Sequence, residues 1–456
     1  MTITPGAAAA KRASFAETIA VYLRRRVLIV MFLGFSAGLP LALSGSTLLV
    51  WMRESGVDLQ TIGLFALVGT PYTIKFLWAP VVDALDAPFL SKLVGRRRGW
   101  LLLAQGAMLA SIVLLGFCDP AHASWQLVFG AALLVAVASA TQDILIDAFR
   151  VESLATREQA AGMASYVAAY RIGTLVSTAG ALFLVTYFER GLGLSRASAW
   201  SAGYLVMALL VLVGMATTLL ATEPDNPHQT SGELADKSPA LMRVLASAGN
   251  AFAEFMTREA AILVLGFVVL YKLCDAFAGT LTAPFVIDLG FTRDDYAAIV
   301  KGVGLAATLI GGFAGGAIAR AYPLVASLWI GAALQMASNL MFSWQALVGL
   351  NHFALTATIV VENFTGAIGT VIFVAYLSAL CKSPLHTATQ YALLTALASV
   401  GRIYVSSLSG FVASATGWPI FFALSALTAL PGMALLAWLQ QRGHFKEIGS
   451  ERNDRS

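Results

Sequence analysis

Long apolar blocks separated by short polar breaks run through almost the whole chain. A membrane-crossing helix needs roughly 20 mostly apolar residues. Blocks of at least that length lie at about 27–52, 59–82, 99–118, 125–149, 161–188, 199–221, 259–287, 295–319, 324–346, 353–380, 387–414 and 417–441. The pattern therefore predicts twelve spans, numbered 1 to 12 in chain order. Turn and polar signals separate them: Ser55-Gly56, Asp119-Pro120, Gly191–Gly193, Glu223-Pro224, Leu289-Gly290, Lys382–Pro384 and Gly417. One long polar stretch, 222–257, divides the spans six and six. Its first part, Asp225 to Pro239, reads as a linker. Its second part, Ala240 to Glu254, reads as an amphipathic helix lying on the membrane surface. The expected organisation is a tail (1–26), a six-helix bundle (27–221), the linker (222–257), a second six-helix bundle (258–441) and a tail (442–456). The fold class is an all-α membrane protein.

Composition narrows the function. Of 456 residues, 58% are hydrophobic and 12% are Asp, Glu, Lys or Arg, where a soluble domain carries about 25% charge. This excludes a disordered chain, a disulfide scaffold and most soluble enzymes. The net charge of +4 is too small to suggest a nucleic-acid partner. Cys118, Cys274 and Cys381 are too far apart for a metal site. No zinc, nucleotide-loop or Ser–His–Asp pattern is present, so neither an enzyme nor a bound cofactor is expected. His352 and His386 stand at span edges, where a solvated role is the default.

Lys and Arg set the orientation, because they accumulate on the cytoplasmic side. With both termini inside, 20 of the 29 cations fall in cytoplasmic segments and four (Arg53, Arg190, Arg196, Arg293) in outer ones. The remaining five sit within spans: Lys75, Arg171, Lys272, Lys301 and Arg402. Asp143, Asp275 and Glu362 share that interior, with Asp147 nearer the inner edge. Each charge at a span centre costs roughly 2.5–3.5 kcal/mol on insertion scales. So many are tolerable only when they face a bundle interior or a water-filled cavity.

At 1.5 Å per residue, Lys75, Asp143 and Arg171 share a depth on the cytoplasmic side of the midplane. Lys272, Asp275, Glu362 and Arg402 fall near the midplane, and Lys301 lies closer to the outer face. Two mixed clusters, one per half, could line one central cavity, as in a two-half transporter. The competing reading is that these residues form helix-to-helix ion pairs that lock each half, Lys272 with Asp275 being the obvious case. Asp143 and Asp147 lie four residues apart on one helix face. A carboxylate in a partly dry cavity can load and release a proton, which makes Asp143, Asp275, Glu362 and Asp147 candidate proton carriers driven by the proton motive force. Arg171 and Arg402 keep their charge at any pH and suit an anionic substrate or a permanent counter-ion.

Other features admit two readings. Gly34 and Gly38 form a GxxxG that permits close helix approach, and Pro40 predicts a kink. The glycines of span 8, Gly302, Gly304, Gly311, Gly312, Gly315 and Gly316, read as packing and flexibility. Tyr72, Trp78, Tyr166, Tyr170 and Tyr271 stand near the charged positions and either stack on sugar rings or only pack.

Between spans 2 and 3 stand Asp83 and then Gly95-Arg96-Arg97-Arg98. This resembles the loop signature Gly-x-x-x-Asp-Arg-x-Gly-Arg-Arg of the major facilitator superfamily, with an insertion after the acid. Seven segments narrow the resemblance to the AmpG muropeptide permease family: GFSAGLPLALSGSTL (34–48), TIGLFALVGTPYTIKFLWAP (61–80), GRRRGWLLLAQ (95–105), ATQDILIDAFR (140–150), LYKLCDAFAGTLT (270–282), ENFTGAIGT (362–370) and ATQYALLTALASVGRIYV (388–405). The resemblance covers about 30 to 435. It implies the superfamily fold, with twelve helices in two halves. It also implies a monomeric, proton-coupled importer of the bacterial inner membrane. The implied substrate is GlcNAc-1,6-anhydro-MurNAc, with or without a stem peptide. Asp143 occupies the family's Gln-Asp position on span 4. The excess of cations suits stem-peptide carboxylates, while Gln142, Asn363 and Gln390 suit sugar hydroxyls. Asp83 with Arg96, Arg97 and Arg98 is the expected cytoplasmic gate. Well-known members carry two further hydrophobic segments after span 12, whereas the last block here ends near Gln441. The alternative is a transporter of the same fold for another large anionic or peptide-like solute. Drug efflux and a non-transporting receptor rank lower, since span 5 lacks the proline pattern of drug antiporters and the buried charges imply a path.

Overall fold

A computed structural model describes residues 20–155, 158–224, 256, 260–380 and 387–445. Every regular element among them is helical. Among the described residues, eleven helices are long and apolar enough to cross a membrane: Arg25–Glu54, Arg96–Phe117, Trp125–Ser153, Ala161–Gly191, Arg196–Leu220, Ala261–Asp288, Arg293–Ala321, Leu324–Val348, His352–Leu380, Leu394–Thr416 and Trp418–Gln441. These correspond to span 1 and spans 3 to 12 of the sequence pattern. The surface helix expected over 240–254 lies outside the described residues, as does most of the linker.

Span 2 departs from the expected single helix. Residues 59–84 form a chain of short pieces, Leu59–Leu64, Phe65–Gly69, Thr70–Ile74, Lys75–Leu77 and Ala79–Ala84. Pro71 and Pro80 stand in the first turns of two of them. A proline has no N–H to give and clashes with the preceding turn, so the ladder restarts at each. Pro40 acts likewise in span 1, which runs as Arg25–Gly38, Pro40–Leu43 and Ser46–Glu54.

Lipid tails are as apolar as leucine, so helices in a bilayer associate through close packing of small residues rather than through the hydrophobic effect. Span 1 meets span 5 on this principle. A Cβ built at Gly34 or Gly38 would run into the backbone of Tyr166 or Tyr170, and one at Gly173 into that of Phe35. In the second half, Gly311 and Gly315 of span 8 lie against Phe364 and Ile368 of span 10. The GxxxG and part of the span 8 glycine run are therefore packing devices. Aromatic clusters fill the ends of the halves away from the arginine-rich loops. Trp51 stacks on Trp200 at 5.4 Å, and Phe342 on Phe422 at 4.8 Å.

The arginine-rich loops mark one end of the molecule, the basic end. At the opposite, far end the two halves touch closely. Span 2 and span 11 meet backbone to backbone, with Gly63 against the amide of Gly410 and Gly410 against the carbonyl of Leu59. Beside them Gln60 Nε2 donates to Ser414 Oγ at 3.2 Å.

Candidate functional site

The mid-membrane charges expected from the sequence form two groups. In the first half, Lys75 of span 2 stands 3.7 Å from Asp143 Oδ2 of span 4. Lys75 lies at a break between short helical pieces, where the path of span 2 turns. Gln142, next to Asp143, is fully buried, and neither its Nε2 nor its Oε1 has a hydrogen-bond partner among the described residues. Asp143 Oδ1 is buried in the same way. In the second half, Lys272 Nζ pairs with Asp275 Oδ2 at 2.6 Å within span 7 and approaches the carbonyl of Gly366 at 3.4 Å. Glu362 of span 10 accepts from Asn363 Nδ2 at 2.6 Å.

Between the halves lies a cavity of about 480 Å³. The first half supplies Ser44, Tyr72, Arg171 and Thr174, and the second supplies Thr280, Lys301, Glu362 and Asn363. Lys301 Nζ sits 5.3 Å from the centre of the Tyr296 ring, a cation–π distance. A second cavity of about 550 Å³ shares Arg171, Thr308, Glu362 and Asn363 with the first. It continues toward the basic end past Asp275, Gly312 and Gly366. Both volumes fall in the usual range for small-molecule sites. Where span 5 meets span 8, each carries a π-helical stretch, Val176–Gly180 and Tyr296–Val303, and the two abut. Such widened turns recur at functional sites. One contains Lys301, and the other starts one turn beyond Arg171.

The far end above the cavity is closed by ionic contacts between the halves, which the sequence reading missed. Arg293 opens span 8 and is 8% exposed. Its Nε donates to Glu54 Oε1 at 3.0 Å and its Nη2 to Glu189 Oε2 at 2.5 Å. Its guanidinium also stands 5.5 Å from the Trp200 ring. Arg53 forks onto Asp288, whose Oδ2 also accepts from Trp418 Nε1 at 3.1 Å. Thr186 donates to Asp294 at 2.7 Å. Acids next to cations at span ends in both halves were the available signal. In the sequence these arginines counted only toward orientation.

At the basic end, the arginine loop is tied into the first half. Arg97 grips Glu152 of span 4 through Nε and Nη2, at 2.6 Å for the shortest contact. Glu223 accepts from the backbone N–H groups of Arg97 and Arg98 at 2.7 and 3.1 Å, capping the positive end of span 3. Arg98 donates to the carbonyls of Thr218 and Leu219. Arg96 opens span 3 beside them. The side chain of Asp83, the expected acid of this gate, lies outside the described residues, as does that of Gln390.

Several expected site residues stand elsewhere. Arg402 is exposed on a π-helical stretch, its Nη2 3.4 Å from Ser399 Oγ, and is not among the described residues lining either cavity. Asp147 is exposed and pairs with Arg150 at 3.5 Å. Tyr271 is buried, donates to the carbonyl of Leu328 and stacks on Phe373 at 5.1 Å, so it packs. Trp78 Nε1 donates to Thr141 at 3.1 Å. Tyr166 and Tyr170 stand 6.2 Å apart on the face of span 5 that carries span 1.

With this geometry in place, three comparisons bear on it. The family model described as Major Facilitator Superfamily matches residues 27–402. The Escherichia coli (strain K12) protein named anhydromuropeptide permease is 38% identical over 435 residues, covering 95% of this chain and 83% of that protein. The Rickettsia felis protein named putative transporter AmpG 4 is 33% identical, covering 91% and 97%. Among solved structures, the nucleoside transporter NupG superposes with a TM-score of 0.68 at 13% identity, covering 90% of this chain and 99% of that one. That likeness concerns the fold alone.

Proposed function

The chain belongs to the major facilitator superfamily and, within it, to the AmpG permease family, and from that premise we propose that it imports cell-wall muropeptides together with protons. It is a multi-pass transporter of the bacterial inner membrane. The proposed orientation puts the basic end in the cytoplasm, following the excess of Lys and Arg there. The proposed cargo is GlcNAc-1,6-anhydro-MurNAc with or without its stem peptide, after the named activity of the Escherichia coli relative.

One observation carries the reading: the cavity at the seam draws charged and polar side chains from both halves, beneath a far end where those halves are latched together. A site built from both halves changes access when the halves rock. Arg171 and Lys301 supply cationic groups for stem-peptide carboxylates. Tyr72, Thr174 and Thr280 of the wall supply an aromatic face and hydroxyls for sugar. Glu362 and Asp143 are the proposed proton carriers, each set beside a lysine-bearing pair or network within its own half. In the proposed cycle, ligand and proton enter from the periplasm while the far end is parted. The latch then closes above them, and release follows toward the basic end.

Uptake in proteoliposomes with an imposed pH gradient tests this. Purified anhydromuropeptide should accumulate only when the outside is the more acidic, and disaccharides without anhydro-MurNAc and unrelated peptides should not. Accumulation that ignores the pH gradient would remove proton coupling. Accumulation of unrelated peptides alone would remove the muropeptide assignment.

A further inference from the structure

Both N–H groups of Asn363 are taken by protein acceptors, so its amide has no donor left for a substrate. Its Nδ2 donates to Glu362 Oε2 at 2.6 Å and to the carbonyl of Ile359 at 3.0 Å. Because a carbonyl only accepts, the second contact fixes which way the amide faces. Its Oδ1 then faces Thr308 of span 8, whose hydroxyl lies 3.1 Å away and 2.9 Å from the carbonyl of Gly304. Gly304 leaves room beside this arrangement: a Cβ there would come within 3.2 Å of Asn363 Nδ2 and 3.3 Å of Ile359, a tight fit that would press on the amide.

From this geometry we infer that Asn363 is a positioning residue rather than a ligand contact. With Thr308, it holds the Glu362 carboxylate at the cavity wall and ties it to span 8. Glu362 is surrounded by charge on several elements, with Lys272 and Asp275 on span 7, Lys301 on span 8 and Arg171 on span 5. A flexible carboxylate could swing onto any of those cations. The amide holds it in one place, and the hydrogen bond passes through Thr308 into the helix that carries Arg293 at its far end. Thr308 is fifteen residues beyond Arg293 on that helix, roughly 22 Å at 1.5 Å per residue. The state of the carboxylate thus bears on the same helix that closes the latch. The coupling part of this inference rests on the proposed role of Glu362 as a proton carrier.

The test uses Asn363→Leu, Thr308→Val, Thr308→Ser and Glu362→Gln in the full-length protein. Binding of GlcNAc-1,6-anhydro-MurNAc is measured in detergent and its proton-driven accumulation in proteoliposomes. A positioning role predicts affinity within about twofold of the parent for Asn363→Leu and Thr308→Val, with accumulation down about tenfold. Thr308→Ser should restore it. If Asn363→Leu instead weakens binding about tenfold while accumulation at saturating ligand stays normal, Asn363 is a ligand contact and the inference fails. Normal accumulation in Thr308→Val overturns the tie to span 8. A second readout separates this from the carrier role. The infrared carboxyl band assigned to Glu362 by its loss in Glu362→Gln should shift in Asn363→Leu without any ligand, and an unshifted band overturns the positioning role. If Glu362→Gln still accumulates substrate against the gradient, the carrier assignment falls, while a shifted band would still uphold the positioning role.

Discussion

Arg293, at the start of span 8, donates to Glu189 at the end of span 5 across the seam between the two halves, at 2.5 Å. The same guanidinium donates to Glu54 of span 1. One buried cation therefore fastens two elements of the first half to one of the second. These contacts draw both halves together at that end, so in the proposed cycle the structure stands in its far-closed state.

Removing Arg293 should unfasten the far end. Its side chain and that of Glu54 are about one-tenth exposed. Breaking a buried pair by deleting one partner costs about 3–5 kcal/mol. In the proposed cycle that tilt falls on the far-closed state alone, because parting the halves would separate the partners. Arg293→Gln should therefore raise far-side access. A Ser46→Cys reporter in the cavity wall, in a background without Cys118, Cys274 and Cys381, should react faster with a membrane-impermeant thiol reagent added outside intact cells. An unchanged labelling rate would show that the ionic cluster is not what holds the end shut.

The glycine contact between spans 2 and 11 makes an independent prediction. A Cβ at residue 410 would lie 1.9 Å from the carbonyl oxygen of Leu59. No rotamer relieves a clash that begins at Cβ, so the far ends must separate. Gly410→Ala should hold the far end open and abolish net import. Spin labels at Gln60 and Ser414, both exposed near this contact, should move several ångströms apart on the scale of the clash and its relief. Gly106→Ala is the control, since a Cβ there meets nothing within 4 Å and Gly106 lines neither cavity among the described residues.

Lys75 and Asp143 test whether an ion pair or a proton carrier is at work. Asp143→Asn should reach the membrane in normal amount and lose accumulation against a gradient. Pairing Asp143→Asn with Lys75→Met removes the uncompensated lysine. If the pair is only structural, the double substitution restores accumulation. If Asp143 carries the proton, the double variant is as well folded as the parent and still does not accumulate substrate. Protein yield and uptake, measured on the same membranes, separate the two.

The sequence revealed most where the bilayer forbids ordinary variation. Apolar runs locate eleven of the described helices because lipid leaves no cheaper way across. Lys272 with Asp275 and Lys75 with Asp143 could be anticipated because unpaired charges at that depth are costly. The breaks in span 2 were harder to see, since Pro71 and Pro80 each fit a kinked helix as well as a broken one. The far-end latch was hidden for a different reason. Charges are unremarkable at span ends, and Arg293 lies 239 residues from Glu54. Asn363 looked like a free amide because its partners lie one residue away and on another helix.

Arg402 shows the limit of depth arithmetic. Rise per residue gives the height of a side chain but not the direction it faces, which turns by about 100° at each residue. The π-helical stretch Gly401–Val405 alters that direction again. Arg402 is exposed and is not among the described residues lining either cavity, so Arg402→Lys should leave the KM for uptake within about twofold of the parent. Arg171, which lines both cavities, should not tolerate the same change. A large rise in KM for Arg402→Lys would place it in the transport path after all.

Glu158 gives a prediction with a sign that pH can check. It lies between spans 4 and 5, outside both, and accepts from Arg24 at 2.5 Å. The hydrogen bond from Arg24 holds its carboxyl below the usual glutamate value, more than offsetting the opposing effect of burial. A carboxylate held low in the folded state contributes its stability above the unfolded value, near 4.3, and loses it as pH falls through the lower folded value. Glu158→Gln should therefore melt earlier than the parent in detergent at pH 7. The gap should stay constant down to about pH 5 and close below the ordinary carboxylate range, where the parent is protonated too. The basic end, not the far end, should loosen. A cysteine placed at Ser153, beside the Arg26 contact to its carbonyl, should react faster in Glu158→Gln at pH 7. A melting gap that widens on acidification would mean that Glu158 is destabilising when charged, and would overturn the pairing with Arg24 as its cause.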